Sequence, residues 1–250
     1  MLRHPQANQQ LQLPGAQVAY RLQRARRRSI GFRVDGDGLS VRAPLTASLQ
    51  AIEQALHTKA DWITRKLAEQ QDWQRRQQDT RITWGDAALL PYLGQPLRLR
   101  LDPARTVARA GAQPGTDAEG CATLHLPLAS SASAAQVRDA THAWLLRQAQ
   151  AYFTARLEHF APQLGVRWTR LVLSGARTRW GSASADGTIR LNWRLMHSSP
   201  EVIDYVVVHE LAHLRVMDHS PRFWDTVASV MPEWPLLRQR LHDSPMPQWD

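Results

Sequence analysis

Cysteine is almost missing from this 250-residue chain. Cys121 stands alone, so no internal disulfide is possible, and a reducing, cytoplasmic setting is expected. Long apolar runs are missing too. Val202-Ile203-Asp204-Tyr205-Val206-Val207-Val208 stops after seven residues and contains an acid, whereas a membrane helix needs roughly 20 apolar residues. The opening Met1-Leu2-Arg3-His4-Pro5-Gln6 has no apolar core of the kind a secretory leader uses. There is no Walker-type glycine loop, which counts against that kind of phosphate cradle, and there is no internal repeat. Lysine is scarce as well: arginine outnumbers it 29 to 2.

Hydrophobic residues make up 43% of the chain, and its length suffices for one large or two small cores. The formal charge of +9 is unevenly spread. Residues 1–100 hold 16 basic and 8 acidic side chains, a net of +8, whereas residues 101–250 hold 15 and 14, a net of +1. Arg21, Arg24, Arg26, Arg27, Arg28 and Arg33 stand out in the basic part. Such a patch attracts nucleic acid or an acidic substrate through its field. It is also what an arginine-biased solvated surface looks like.

Periodicity divides the chain into elements. Residues 17–44 read as strands: Ser29 to Val34 alternates, Asp35-Gly36-Asp37-Gly38 turns, Leu39 to Ala43 alternates again, and Pro44 closes the hairpin. Thr46 to Gln78 reads as one helix, with Leu49, Ile52, Leu56, Ala60, Ile63 and Leu67 at helical spacing. Tyr92 to Leu101 suggests another hairpin. Residues 108–120 are small and polar, as a loop would be. A short strand follows at Thr123 to Pro127, and Ser130-Ser131-Ala132-Ser133 then leads into a helix that runs to about Leu164. Strands at Arg170 to Leu173 and Thr188 to Trp193 precede Ser199-Pro200, a helix start.

That last helix carries His209-Glu210-Leu211-Ala212-His213, the HExxH pattern. Residues four apart share a helix face, so His209 and His213 can reach one metal ion, with Glu210 beside them as a proton acceptor. His219 follows after a turn, and Ser220-Pro221 has the make-up of an N-cap and first helical residue. A catalytic zinc takes three protein ligands and keeps one position open. The spacing from His213 to His219 equals that of the metzincins, but Val216 stands where those enzymes have glycine. Asp218 in the left-handed conformation is one way to make the turn. An oxyanion donor is also needed, and Arg179, Asn192, His197 and Tyr205 are the candidates. Tyr205, four residues before His209, falls on the ligand face.

Taken together, Arg179-Trp180-Gly181-Ser182, Ile189 to Leu195, Tyr205 to Leu214, His219-Ser220 and Phe223-Trp224 resemble the YgjP-like family of zinc metallopeptidases, related to zincins of the SprT and Wss1 type. Arg27-Arg28-Ser29-Ile30, Val41 to Pro44 and Lys59 to Ile63 resemble it too. Ala183 departs from the cysteine usual in the family. The resemblance implies an α+β fold with a zincin-like domain, a sheet packed on the HExxH helix. It implies zinc on His209, His213 and His219, and Glu210 as catalytic base. The expected organisation is a basic α+β region at 17–105, a linker with a short strand at 106–134, and the hydrolase domain at 135–245. The expected function is zinc-dependent peptide hydrolysis on a peptide or protein substrate. The alternatives are a zinc-dependent hydrolase of nucleoside triphosphates, or a nucleic-acid-associated protein with structural zinc. The basic N-terminal region would serve a nucleic acid or nucleotide partner, and no membrane partner is expected.

Overall fold

The computed structural model describes residues 2–104, 111–176, 178–244 and 246–249. It is a mixed α+β structure with six α-helices among the described residues and sheets that mix parallel and antiparallel pairing. The chain forms two compact units, Met1–Asp79 and Thr80–Asp250. The division therefore falls after Asp79, not near residue 105. Of the stretch expected to be a linker, Gln113–Thr116 and Ala122–Leu126 are paired strands of the second unit. Residues 105–110 lie outside the described residues.

The first unit is a five-stranded sheet covered by two helices. Its strands are β1 (Leu2–Arg3), β2 (Gln9–Leu13), β3 (Ala16–Ala25), β4 (Gly31–Asp35) and β5 (Gly38–Pro44), in the order β1-β3-β5-β4 with β2 also paired to β3. The β4–β5 hairpin turns as the sequence predicts. Asp35 Oδ1 accepts from the Asp37 amide at 3.1 Å, and Gly38 takes a φ of +110°, open to glycine. The single helix expected over Thr46–Gln78 is two, α1 (Leu49–Thr58) and α2 (Ala60–Asp79). Lys59 leaves helical geometry (φ −105°, ψ 13°). The apolar spacing survives the break because Ile52, Leu56, Ala60, Ile63 and Leu67 all enter one core with Val18, Tyr20, Leu39 and Val41.

Among the described residues the second unit has two sheets. Strands β6 (Leu89–Tyr92), β7 (Gln95–Leu101), β8 (Gln113–Thr116) and β9 (Ala122–Leu126) run in the order β6-β7-β9-β8. Strands β10 (Arg170–Ser174), β11 (Gly181–Ala183) and β12 (Thr188–Asn192) run β10-β12-β11, so β11 is an edge strand. Between the sheets comes α3 (Ala134–Leu164). Ser133 and Gln136 close a reciprocal capping box at its start, and Gly165, at φ 64°, caps its end. A 3₁₀ turn (Trp193–His197) leads into α4 (Pro200–His213), followed by α5 (Pro221–Ala228) and α6 (Trp234–Asp243). No helix among the described residues is long and apolar enough to cross a membrane.

Helix α4 is apolar nearly all round. Val202, Ile203, Val206, Val207, Val208, Leu211 and Ala212 are all buried, which makes it the central helix of its unit. It packs against α3, α5, α6, β11 and β12. Two long-range devices hold it. Arg156 of α3 grips Asp204 with both nitrogens of its fork, at 2.6 and 2.8 Å. The β6–β7 turn abuts its start: the Leu93 amide donates to the Met196 carbonyl at 2.7 Å, and a Cβ on Gly94 would lie 3.0 Å from Ser199 Cα.

Candidate active site

The C-terminal turn of α4 and the start of α5 bring three imidazoles together. One ligand atom from each of His209, His213 and His219 falls within a set no more than 4.8 Å apart, and His209 Nε2 lies 3.2 Å from His219 Nε2. Two nitrogens about 2.0–2.1 Å from a tetrahedral ion stand roughly 3.3 Å apart, so this pair has the spacing one ion requires. His213 Nδ1–H donates to the Val216 carbonyl at 3.1 Å, which leaves its Nε2 with a free lone pair. His209 Nδ1 is buried without a partner.

The chain between the ligands turns without glycine. The Val216 amide still donates to Ala212 O at 3.0 Å, one helical step beyond α4. Asp218 Oδ1 then accepts from the Ser220 amide at 3.1 Å, and α5 begins at Pro221. Asp218 is not among the residues with positive φ, so the expected left-handed turn is not used. A side-chain-to-backbone turn replaces it, and hydrogen bonds from the Ser220 hydroxyl and amide lower the Asp218 pKa. Ser220 occupies the N-cap position but makes no side-chain cap bond. Phe223 stacks on His213 with ring centroids 4.4 Å apart, and Trp224 lies 5.8 Å from both His209 and His219. These rings limit how far the imidazoles can swing.

Burial sets the charge state of the cluster. Desolvation and the neighbouring imidazoles push His209 down to about 3, so it is neutral at pH 7, as a ligand must be. Glu210 is 5% exposed, and burial alone pushes its carboxyl up to about 8. A divalent ion on the imidazoles would supply the counter-charge that the site lacks. The donor set thus fits a metal ion.

A cleft of about 330 Å³ opens beside His209 and Glu210, walled by Trp180, Tyr205, Val206 and Leu241, with Arg238 and His242 also lining it.

The YgjP-like metallopeptidase domain model matches residues 28–244. The chain belongs to the YgjP-like family. A metallopeptidase acts on peptide bonds and needs a metal ion. Two solved structures are similar over part of this chain. Abylysin, a metallopeptidase zymogen of Pyrococcus abyssi, is 28% identical, with 36% of this chain and 90% of that chain covered and a TM-score of 0.34. Jannalysin, a metallopeptidase zymogen of Methanocaldococcus jannaschii, is 16% identical, with 36% and 93% covered and a TM-score of 0.33. No curated protein matches the chain.

The other sequence candidates of this YgjP-like chain divide sharply. Tyr205 lines the cleft, its ring 5.9 Å from His209, and burial raises its pKa. Asn192 is spent on structure. Its Nδ2 donates to the Ala176 and Arg179 carbonyls at 2.7 and 3.1 Å, and its Oδ1 accepts from the Arg194 amide at 3.1 Å. It holds the loop that carries Trp180. Arg179 is exposed and does not line the cleft. His197 is committed elsewhere: its Nδ1–H donates to the Pro91 carbonyl at 2.6 Å, and its Nε2 accepts from Trp249 Nε1 at 3.0 Å.

Sequence alone assigned no site role to Gly181, named only within the Arg179–Ser182 motif, or to Arg238. A Cβ on Gly181 would sit 2.7 Å from Glu210 Cδ and Cγ and collide with Oε1. Only glycine lets the β11 edge approach the carboxylate so closely, and a glycine inside a strand is the general sign of such an approach. Arg238 reaches the cleft from α6, its guanidinium 5.2 Å over the Trp224 ring. Nothing in the sequence marks it out from the other arginines.

Proposed function

We propose that the protein is a zinc-dependent peptidase of zincin type. His209, His213 and His219 hold the ion, and Glu210 is the catalytic base. The observation that carries this reading is the convergence of three imidazole nitrogens beside a buried carboxyl that opens on a cleft. Zinc, when bound, lowers the pKa of water towards neutrality and polarises a carbonyl. Glu210 takes the water proton on a carboxylate oxygen and passes it to the leaving amine. Tyr205 and Arg238 line the cleft and carry donors, and they are our candidates for stabilising the oxyanion. Arg179 remains a contributor only if substrate binding draws it in.

The cleft's chemistry favours a peptide over a nucleoside triphosphate. Four of its walls are apolar or aromatic, and Arg238 is the one arginine that lines it among the described residues. A triphosphate needs several cationic donors. β11, an end strand of its sheet among the described residues and close to Glu210, suits an extended peptide, which pairs by main-chain hydrogen bonds.

Zinc content and peptide hydrolysis, measured together, test the reading. The Glu210→Gln variant should keep zinc and lose at least about a hundredfold in kcat, the order expected for a general base. Undiminished hydrolysis in that variant would refute the base role. Equal zinc content in wild type and His219→Ala would remove His219 from the ligand set.

A further inference from the structure

The outer face of the N-terminal sheet carries an arginine cluster that peptide hydrolysis does not use. Strand register builds it. Arg21 of β3 and Arg33 of β4 flank Ser40 of β5 in one cross-strand row, and Gln23 and Gly31 flank Arg42 in the next. Positions two apart on a strand share a face, and neighbouring strands lie about 4.8 Å apart. Arg21, Arg33 and Arg42 are therefore crowded onto a patch three strands wide. Arg27, from the β3–β4 connection, folds over the bare Cα of Gly31. A Cβ there would lie 2.7 Å from Arg27 Nη2 and 2.9 Å from Nη1. Together these side chains bound a concavity of about 320 Å³.

The cluster is short of anions. Asp35 and Asp37 are the carboxylates at its rim, and Asp35 already pairs with Arg33 at 3.0 Å. Arg27 Nε is buried with no acceptor. His4 does not help. Its Nδ1 accepts from the Gln6 amide at 3.0 Å, so its Nε2–H faces Ser40 Oγ at 3.3 Å and the ring serves the fold. Like charges side by side on a sheet destabilise it, and the Arg27 guanidinium fills the space that a side chain at position 31 would take. Arg24, by contrast, donates to the Pro44 and Ala47 carbonyls and is a strut.

We propose that this concavity binds a phosphate-class oxyanion, with Arg21, Arg27, Arg33 and Arg42 as donors. Guanidinium forks match phosphate oxygens two at a time. The anion can come from a polynucleotide backbone or from a free phosphate compound, and the same chemistry serves both.

The test uses the full chain and two probes, pyrophosphate and a fluorescent single-stranded oligonucleotide of about a dozen nucleotides. Arg42→Ala, an exposed position that should not disturb folding, is expected to weaken binding about tenfold, the scale of one charged hydrogen bond. Arg65→Ala removes the same charge from α2, away from the cluster, and should change it less than twofold. Gly31→Ala keeps every charge but pushes Arg27 aside, and should weaken binding as Arg42→Ala does. If the oligonucleotide binds more tightly, the log–log salt slope should shrink by about 0.7 for each phosphate that a variant no longer neutralises, and the backbone is the source. If pyrophosphate binds as well as or better than the oligonucleotide, a free phosphate compound is the source. Equal losses from Arg65→Ala and Arg42→Ala, an unaffected Gly31→Ala, or no binding of either probe would each overturn the proposal.

Discussion

Adding a single methyl at Gly181 should disable the enzyme while leaving its metal in place. Gly181 is not among the glycines with positive φ, so alanine meets no backbone strain there. Its Cβ would, however, lie 2.7 Å from Glu210 Cδ and Cγ. Ordinary carbon contacts begin at about 3.4 Å, so the carboxyl group must retreat by about 0.7 Å or rotate away. Misplacing a catalytic group by about 1 Å costs about a hundredfold in rate. Since β11 supplies no metal ligand, Gly181→Ala should lower kcat thirty- to a hundredfold, roughly, with zinc content and zinc affinity unchanged. Steady-state kinetics on a peptide substrate, with metal analysis of the same samples, reads both quantities. Ser182→Ala, the next residue on β11, serves as control. A Gly181→Ala enzyme with wild-type kcat would show that Glu210 does not work from the position it holds against this strand. Loss of zinc would show instead that the strand supports the ligands.

Other consequences follow from the buried polar groups. His197 is pushed down to about 4 mainly by burial, against about 6.5 when unfolded. As pH falls the unfolded chain takes the proton first, so stability is full above about 6.5 and declines towards 4, by up to about 3 kcal/mol. Urea midpoints from pH 7 to 4 should show this slope, and His197→Gln should flatten it; identical profiles would discard the assignment. Arg156→Ala leaves Asp204 unpaired at a position where its side chain is only 15% exposed. That should cost about 2 kcal/mol and several degrees in Tm, with Arg156→Ala/Asp204→Asn recovering part of it. An unchanged melting curve would mean that the fork does not hold α3 to α4. Trp249→Phe removes the donor to His197 Nε2. It should destabilise the fold by about 1–2 kcal/mol without altering kcat, and a loss of kcat would place His197 in the chemistry after all.

Local pattern determined much of this protein by itself. The HExxH helix, its Ser-Pro start, the Ser220-Pro221 restart, the capped helix from Ser133 to Leu164 and the Asp35–Gly38 turn all depend on residues within a few positions of one another. The break at Lys59 was hidden because both helices present one continuous apolar stripe to one sheet. Tertiary structure alone decided the rest. Asn192 and His197 looked like donors for catalysis. Their polar atoms are instead consumed by carbonyls of residues 176 and 179 and of residue 91, and by the Trp249 indole. Gly181 meets Glu210, and Arg156 meets Asp204, across 29 and 48 residues of chain. Spacing along a sequence dictates which side chains share a face. Whether a face meets a partner or water depends on long-range packing, and this packing separated the working polar groups from the structural ones.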